Sequence, residues 1–218
     1  MAQVKKASVR EAILASAMEL FAEKGYPAST LNQIAARAGV STANVYVYFA
    51  SKLDIVFAIY GPWLRRRLER LEDEAARIER PRRRLRKIVE TLWRDIPAEH
   101  GGFAKNLMQA LSTATAEDRY DPSLLEWAKA KIAGMIQKTL AQAERPPADT
   151  ASIAHVMFMT FDGFAMNVRL NPGSACSPAM IDSFCDLLLP RVEGEEAMAM
   201  NGPGDRPARG GGRERVIS

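Results

Sequence analysis

The chain has 218 residues, of which 47% are hydrophobic and 26% charged, the balance of a globular protein that buries a core, so wholesale disorder is excluded. With only Cys176 and Cys185 a disulfide scaffold is excluded, and both read as free thiols. His100 and His155 leave little for a histidine metal site, and a formal net charge of +4 permits nucleic acid as a partner without identifying it.

The start of the chain, with Lys5-Lys6 followed by Ala15-Ser16-Ala17, faintly imitates a secretion signal, but Glu11 and Glu19 interrupt it. It reads better as an amphipathic helix, with Val9, Ile13, Ala17, Leu20 and Phe21 at helical spacing. The capping box Ser8-x-x-Glu11 is expected to open this helix and Gly25 to stop it. A second box, Thr30-x-x-Gln33, opens a short helix ended by Gly39; Ser41 opens a third, to about Tyr48, and Ser51 a fourth and longer one.

Pro81, Pro122 and Pro146-Pro147 punctuate the helices that follow. Residues 122–144 carry Leu125, Ile132, Ile136 and Leu140 on one face. The next helix, about Ala148 to Leu170, is apolar on nearly every side and is predicted to be buried in a core or by a partner. His155 on it reads as a hydrogen-bonded core histidine, while Asp162 and Asn167 need partners if buried. That helix is broken by too many polar residues to supply the roughly 20 apolar residues of a membrane span. No membrane partner is expected, and the protein is read as cytoplasmic. After the turn Asn171-Pro172-Gly173 a last helix carries Met180, Ile181, Phe184, Leu187 and Leu188. The glycine- and proline-rich tail, 193–218, is expected to be disordered. No internal repeat is present, nor any sustained period-two alternation, and the fold class read from the chain is all-α.

Charge is unevenly spread. The net formal charge is +2 over residues 1–60, +5 over 61–95, −3 over 96–190 and zero beyond. The clusters Arg65-Arg66-Arg67 and Arg82-Arg83-Arg84 are interleaved with Glu69, Glu72, Asp73, Glu74 and Glu79 at three- and four-residue spacing, which reads as a solvated, salt-bridged helix surface rather than a set of phosphate contacts or a polybasic membrane patch.

Residues 30–49 have the anatomy of a helix-turn-helix, two short helices around a glycine-containing turn. Ile34, Val40, Val45 and Phe49 would hold the two helices together, Ala35 would allow their close approach, and Gly39 would supply a positive φ. Ser41, Thr42, Ala43, Asn44 and Val47 would then face outward, a small polar surface suited to a major groove about 12 Å wide. Asn44 has the donor and acceptor for a bidentate contact to adenine. Thr30, Tyr46, Tyr48 and Lys52 lie at the rim, where phosphate oxygens would sit.

From Val9 to about Ile59 the chain resembles the amino-terminal domain of TetR-family transcriptional regulators. The resemblance is carried by Ile13-Leu14-Ala15-x-Ala17, Leu20-Phe21-x-Glu23-x-Gly25-Tyr26, Ser29-Thr30, Ile34-Ala35-x-x-Ala38-Gly39-Val40-Ser41, Val45-Tyr46-x-Tyr48-Phe49 and Ser51-Lys52. It implies DNA-backbone contacts from Thr30, Tyr46, Tyr48 and Lys52, and a recognition face of Ser41, Thr42, Ala43 and Asn44. Ala43-Asn44 and the aliphatic Val47 depart from what is common there and leave the operator sequence open. The resemblance also implies a homodimer formed by the last two helices, and a helical body whose ligand releases the protein from DNA.

The expected organisation is therefore a three-helix DNA-binding domain at 1–60, an effector-binding and dimerisation domain at 61–192, and the tail. A small apolar effector would be lined by residues such as Trp93, Phe103, Met108, Trp127, Met157 and Phe161, although apolar residues at helical spacing are more often plain core. The function expected is a ligand-responsive repressor that binds a palindromic operator in double-stranded DNA. The alternative is a DNA-localised adaptor or architectural protein whose body binds another protein. No catalytic constellation, metal cluster or phosphate-cradling loop is recognisable, so neither an enzyme nor a cofactor is expected.

Overall fold

Serine, threonine and glycine at fixed positions set the amino-terminal helices. α1 (Ala2–Lys24) stops at Gly25, whose φ of +79° the L side chains rarely adopt. Beside it, buried Ser29 donates its hydroxyl to the Gly25 carbonyl at 2.8 Å, satisfying an end of α1. Thr30 caps α2 (Leu31–Arg37): its hydroxyl oxygen accepts from the Gln33 N–H at 3.3 Å, while Gln33 Oε1 accepts from the Thr30 N–H at 3.2 Å. Gly39, φ +67°, makes the turn, Ser41 caps α3 (Thr42–Tyr48), and Ser51 caps α4 (Lys52–Ala76). The Ser8 box does not act as a cap. α1 already runs from Ala2, because nothing between Ala2 and Ala7 breaks a helix, and Ser8 lies inside it.

This computed structural model describes residues 2–99, 103–118, 120–145, 149–170 and 176–190, and every regular element among them is helical, as the sequence indicated. His100, Pro146-Pro147, the turn Asn171-Pro172-Gly173, the tail 193–218, and the side chains of Phe103 and Asn167 lie outside the described residues. α5 (Pro81–Glu90) runs without a break through a π-turn, Thr91–Asp95, into the single turn Ile96–Ala98. α6 (Phe103–Ser112), α7 (Ser123–Gln142), α8 (Thr150–Leu170) and α9 (Pro178–Leu188) complete the body.

Two apolar clusters result. The first gathers Ile13, Leu20, Phe21, Ile34, Val45 and Phe49 with Leu53 and Val56 of α4. The second gathers Leu64, Leu68 and Leu71 of α4 with α5, α7, α8 and α9. α4 therefore threads both, with Gly61-Pro62 between its two halves; Pro62 has no N–H to give, and Gly61 is buried against Leu124 of α7. α6 crosses back to the first cluster, contributing Leu107 and Ala110. From the same helix buried Asn106 accepts from the Tyr26 N–H at 3.1 Å and directs its amide nitrogen to the Phe21 carbonyl and the Tyr60 hydroxyl, each at 3.5 Å.

The arginine clusters are less solvated than their charge pattern indicated. Arg67 is buried against Glu99 at 2.9 Å, and Arg82 and Arg86 cross from α5 to Asp186 and Asp182 of α9 at 2.7 and 2.9 Å. Arg84 caps the end of α4 through the Ile78 carbonyl at 2.7 Å, and Arg65 lies over the Trp127 ring at 4.5 Å. Charge spacing along one helix carries no information about these partners on another.

Replacing Asn106 by alanine strands the buried Tyr26 N–H. Asn106→Ala should therefore lower unfolding stability by about 1–3 kcal/mol, read as a lower urea midpoint; an unchanged midpoint would show that the amide finds another partner.

Candidate nucleic-acid interface and adjoining cavity

Ile34, Ala35, Val45 and Phe49 are buried between α1, α2 and α3, which turns the other side of α3 outward. Ser41, Ala43, Tyr46 and Val47 are exposed, while Thr42, Asn44 and Tyr48 are half-buried. The Thr42 hydroxyl donates to Asn32 Oδ1 of α2 at 2.8 Å, which ties the start of α3 to α2. Val47, 70% exposed, is an unusually bare aliphatic side chain. It stands three residues from Asn44 and four from Ala43, hence on their face. An amide beside a methyl-bearing surface matches what an A·T pair presents in the major groove, an adenine edge and a thymine methyl.

Lys52 is not a free rim cation. Its ammonium donates to the Tyr26 and Ser29 carbonyls at 2.9 and 2.8 Å and stands 4.0 Å from the Tyr26 ring centroid. Burial pulls its pKa below the ordinary lysine value, with Asp118 acting in the opposite direction. Lys52 thus fixes the turn that presents Thr30, and has one N–H remaining. Arg10, which sequence reasoning passed over, lies 5.3 Å from the Phe49 ring, beside the end of α3. A lone arginine on an amphipathic helix has no spacing signal that would single it out. Arg37 is held in a bidentate pair by Glu23 at 2.7 and 2.9 Å, and this bond holds the Glu23 carboxyl below its usual range.

In the body, α4, α6, α7, α8 and the segment after α5 enclose a cavity of about 290 Å³, near the lower end of small-molecule sites. Of the residues anticipated for it, Met108, Met157 and Phe161 line it. Trp93 and Trp127 do not. Trp93 donates its indole N–H to the Met157 carbonyl at 3.1 Å and packs between Phe164 and Phe184, while Trp127 lies under Arg65. Leu64, Leu68, Leu107 and Leu111 supply much of the remaining wall, and periodicity could not separate them from plain core. Asp162 also borders the cavity, half-buried. His155, read from the sequence as a core histidine, is exposed at the cavity margin instead, because the exposed stripe of α8 passes through it. Among the described residues no group of histidine, cysteine and carboxylate side chains is arranged to hold a metal ion.

Comparison with known proteins adds the following. Residues 13–59 match the family described as bacterial regulatory proteins, tetR family. The chain is 40% identical to the HTH-type transcriptional repressor BepR of Brucella suis biovar 1 (strain 1330) over 79 residues, 36% of this chain and 37% of that protein. It is 36% identical to the fatty acid metabolism regulator protein of Bacillus subtilis (strain 168) over 62 residues, 28% of this chain and 32% of that one. The chain spans about a third of the length of these curated relatives. Among solved structures, FadR from Bacillus subtilis in complex with stearoyl-CoA superposes with a TM-score of 0.62 at 21% identity, covering 82% of this chain and 96% of that one. At that identity the likeness is one of fold.

Proposed function

The chain belongs, through its amino-terminal domain, to the TetR family of bacterial regulatory proteins, and from that premise we propose that it is a transcriptional repressor that binds a palindromic operator as a homodimer and is released by a small molecule. The observation that carries the reading is the outward face of α3, where Ser41, Thr42, Ala43, Asn44 and Val47 stand clear of the core on a helix braced by Asn32 and capped at Ser41. Bases are read by Asn44 and its neighbours; Thr30, Tyr46, Tyr48 and the remaining N–H of Lys52 meet phosphates.

Two-fold pairing is supported by exposed stripes on the last two helices. On α8, Ser152, Val156, Met159 and Gly163 recur at helical spacing and are exposed; on α9, Met180, Ser183 and Leu187 do the same. Leu187 is 79% exposed and Met159 55%, values that a second copy of the same surface would reduce. Release by an effector is supported by the cavity, whose walls include the two helices shared with the DNA-binding cluster. Leu64 and Leu68 belong to α4, and Leu107, Met108 and Leu111 to α6. A ligand there bears on α6, the helix whose Asn106 holds the Tyr26 turn. By linkage, an effector that weakens operator binding binds more weakly to the operator complex. The cavity favours this reading over an adaptor whose body binds only protein.

Asn44→Ala should cost about 1–3 kcal/mol at one symmetry-related base-pair position and relax preference there; selection from random duplexes that returns the same motif for variant and wild type would remove Asn44 from base reading. Lys52→Ala should weaken binding to every duplex and reduce the slope of log K against log salt by about one unit. An unchanged slope in an anisotropy titration would leave Lys52 only its role in the turn. Leu187→Asp should convert a dimer to a monomer by light scattering and weaken operator binding; a dimer that persists would place the interface elsewhere.

A further inference from the structure

The cavity wall contains one chemical mismatch. Its lining is dominated by leucine, isoleucine, methionine and phenylalanine, yet Asp162 of α8 borders it half-buried and, among the described residues, makes no hydrogen bond or ion pair. A carboxyl partly withdrawn from water beside apolar walls, with no partner from the protein, is a ready counter-charge for a ligand that covers it. The other charged groups at the cavity do not supply the missing partner. Lys129 makes no ion pair with Asp162. It stands on α7, and His155, two turns before Asp162 on α8, is exposed. Burial alone pushes the Asp162 carboxyl above its usual range, with no cation close enough to bring it back. Aromatic side chains from two places, Tyr120 and the α8 pair Phe158 and Phe161, share the lining, and an aromatic ring can take a cation on its face.

We propose that the cavity takes an amphipathic organic cation, a primary or quaternary ammonium on an apolar body, with the Asp162 carboxylate as its counter-charge. The apolar body lies along Leu64, Leu68 and Leu111 of α4 and α6, and the ammonium pairs with the half-buried Asp162 carboxylate. The proposal rests on the cavity being the effector site and adds the sign of the effector's charge. An anionic or neutral lipid would cover Asp162 without pairing it, which disfavours both by desolvation and the anion by repulsion as well.

The test uses the full chain and three probes with one tail and three head charges: decylammonium, 1-decanol and decanoate, each below its aggregation concentration at neutral pH. Calorimetry should give about tenfold tighter binding for decylammonium than for 1-decanol, the equivalent of about 1.4 kcal/mol, with decanoate weakest. Asp162→Asn should bring decylammonium to the level of the alcohol, and Asp162→Glu, which keeps the charge, should retain the preference. Equal binding of the three probes, tightest binding of decanoate, or a preference that survives in Asp162→Asn overturns the charge assignment while leaving the cavity as an effector site. Binding of none of the three overturns both. Should Asp162→Asn fail to fold, the ranking of the probes on the wild-type chain and on Asp162→Glu decides the matter.

Discussion

Tyr26 follows the glycine that ends α1, and its backbone N–H points into the protein interior, where α1 offers it no acceptor. The partner comes from 80 residues further along the chain, the Asn106 carboxamide of α6, whose other end reaches toward the Phe21 carbonyl and the Tyr60 hydroxyl. A buried amide of this kind has to be satisfied. The constraint fixes α6 against the amino-terminal domain, and with it Leu107 and Ala110, which complete that domain's core. Because Leu107 also lines the cavity together with Met108 and Leu111, one helix serves as wall for two compartments. The domain that carries α3 and the cavity in the body are therefore not independent, and α4, which passes through both clusters around Gly61-Pro62, is a second mechanical link between them.

The proposed recognition of DNA would depend on shape more than on charge. The amino-terminal domain has few cations, and the structure engages two of them with protein groups: Arg37 on Glu23, and Lys52 on two carbonyls. What remains for nucleic acid is a short helix with small and aliphatic residues on its outer face, fixed in direction by Asn32, Ser41 and the Gly39 turn. The mild positive charge of the first 60 residues permits approach to phosphate; in the proposed reading the positioning of Asn44 and Val47 would supply the discrimination.

The helix-turn-helix was legible in the sequence because its determinants are local. Thr30 with Gln33, Ser41, Ser51 and the positive-φ glycines act within a few residues of where they stand, and each appears in the structure as read. The Ser8 box shows the limit of the same logic: a capping pair is a signal only where the preceding residues cannot themselves be helical. The cavity was much less legible. Met157 lines it while Trp93, bonded to the Met157 carbonyl, faces α8 and α9 instead, and no periodicity distinguishes a residue packed on other residues from one packed around a void. The roles of Arg67, Arg82 and Arg86 were hidden for a related reason, since their carboxylate partners lie on helices remote in sequence. The polar character of Asp162 did mark it out as a residue in need of a partner, and the structure sharpens that into an unpaired carboxyl beside an apolar cavity.

The central claim is that occupancy of the cavity is felt at the Tyr26 turn through α6. Backbone hydrogen exchange of the full chain, with and without decylammonium, addresses it directly. Coupling predicts that protection of the Tyr26 amide changes together with that of the cavity helices α6 and α8. Protection that rises around the cavity while exchange at Tyr26 stays the same would contradict it, because a ligand would then be bound without reaching the domain that carries α3.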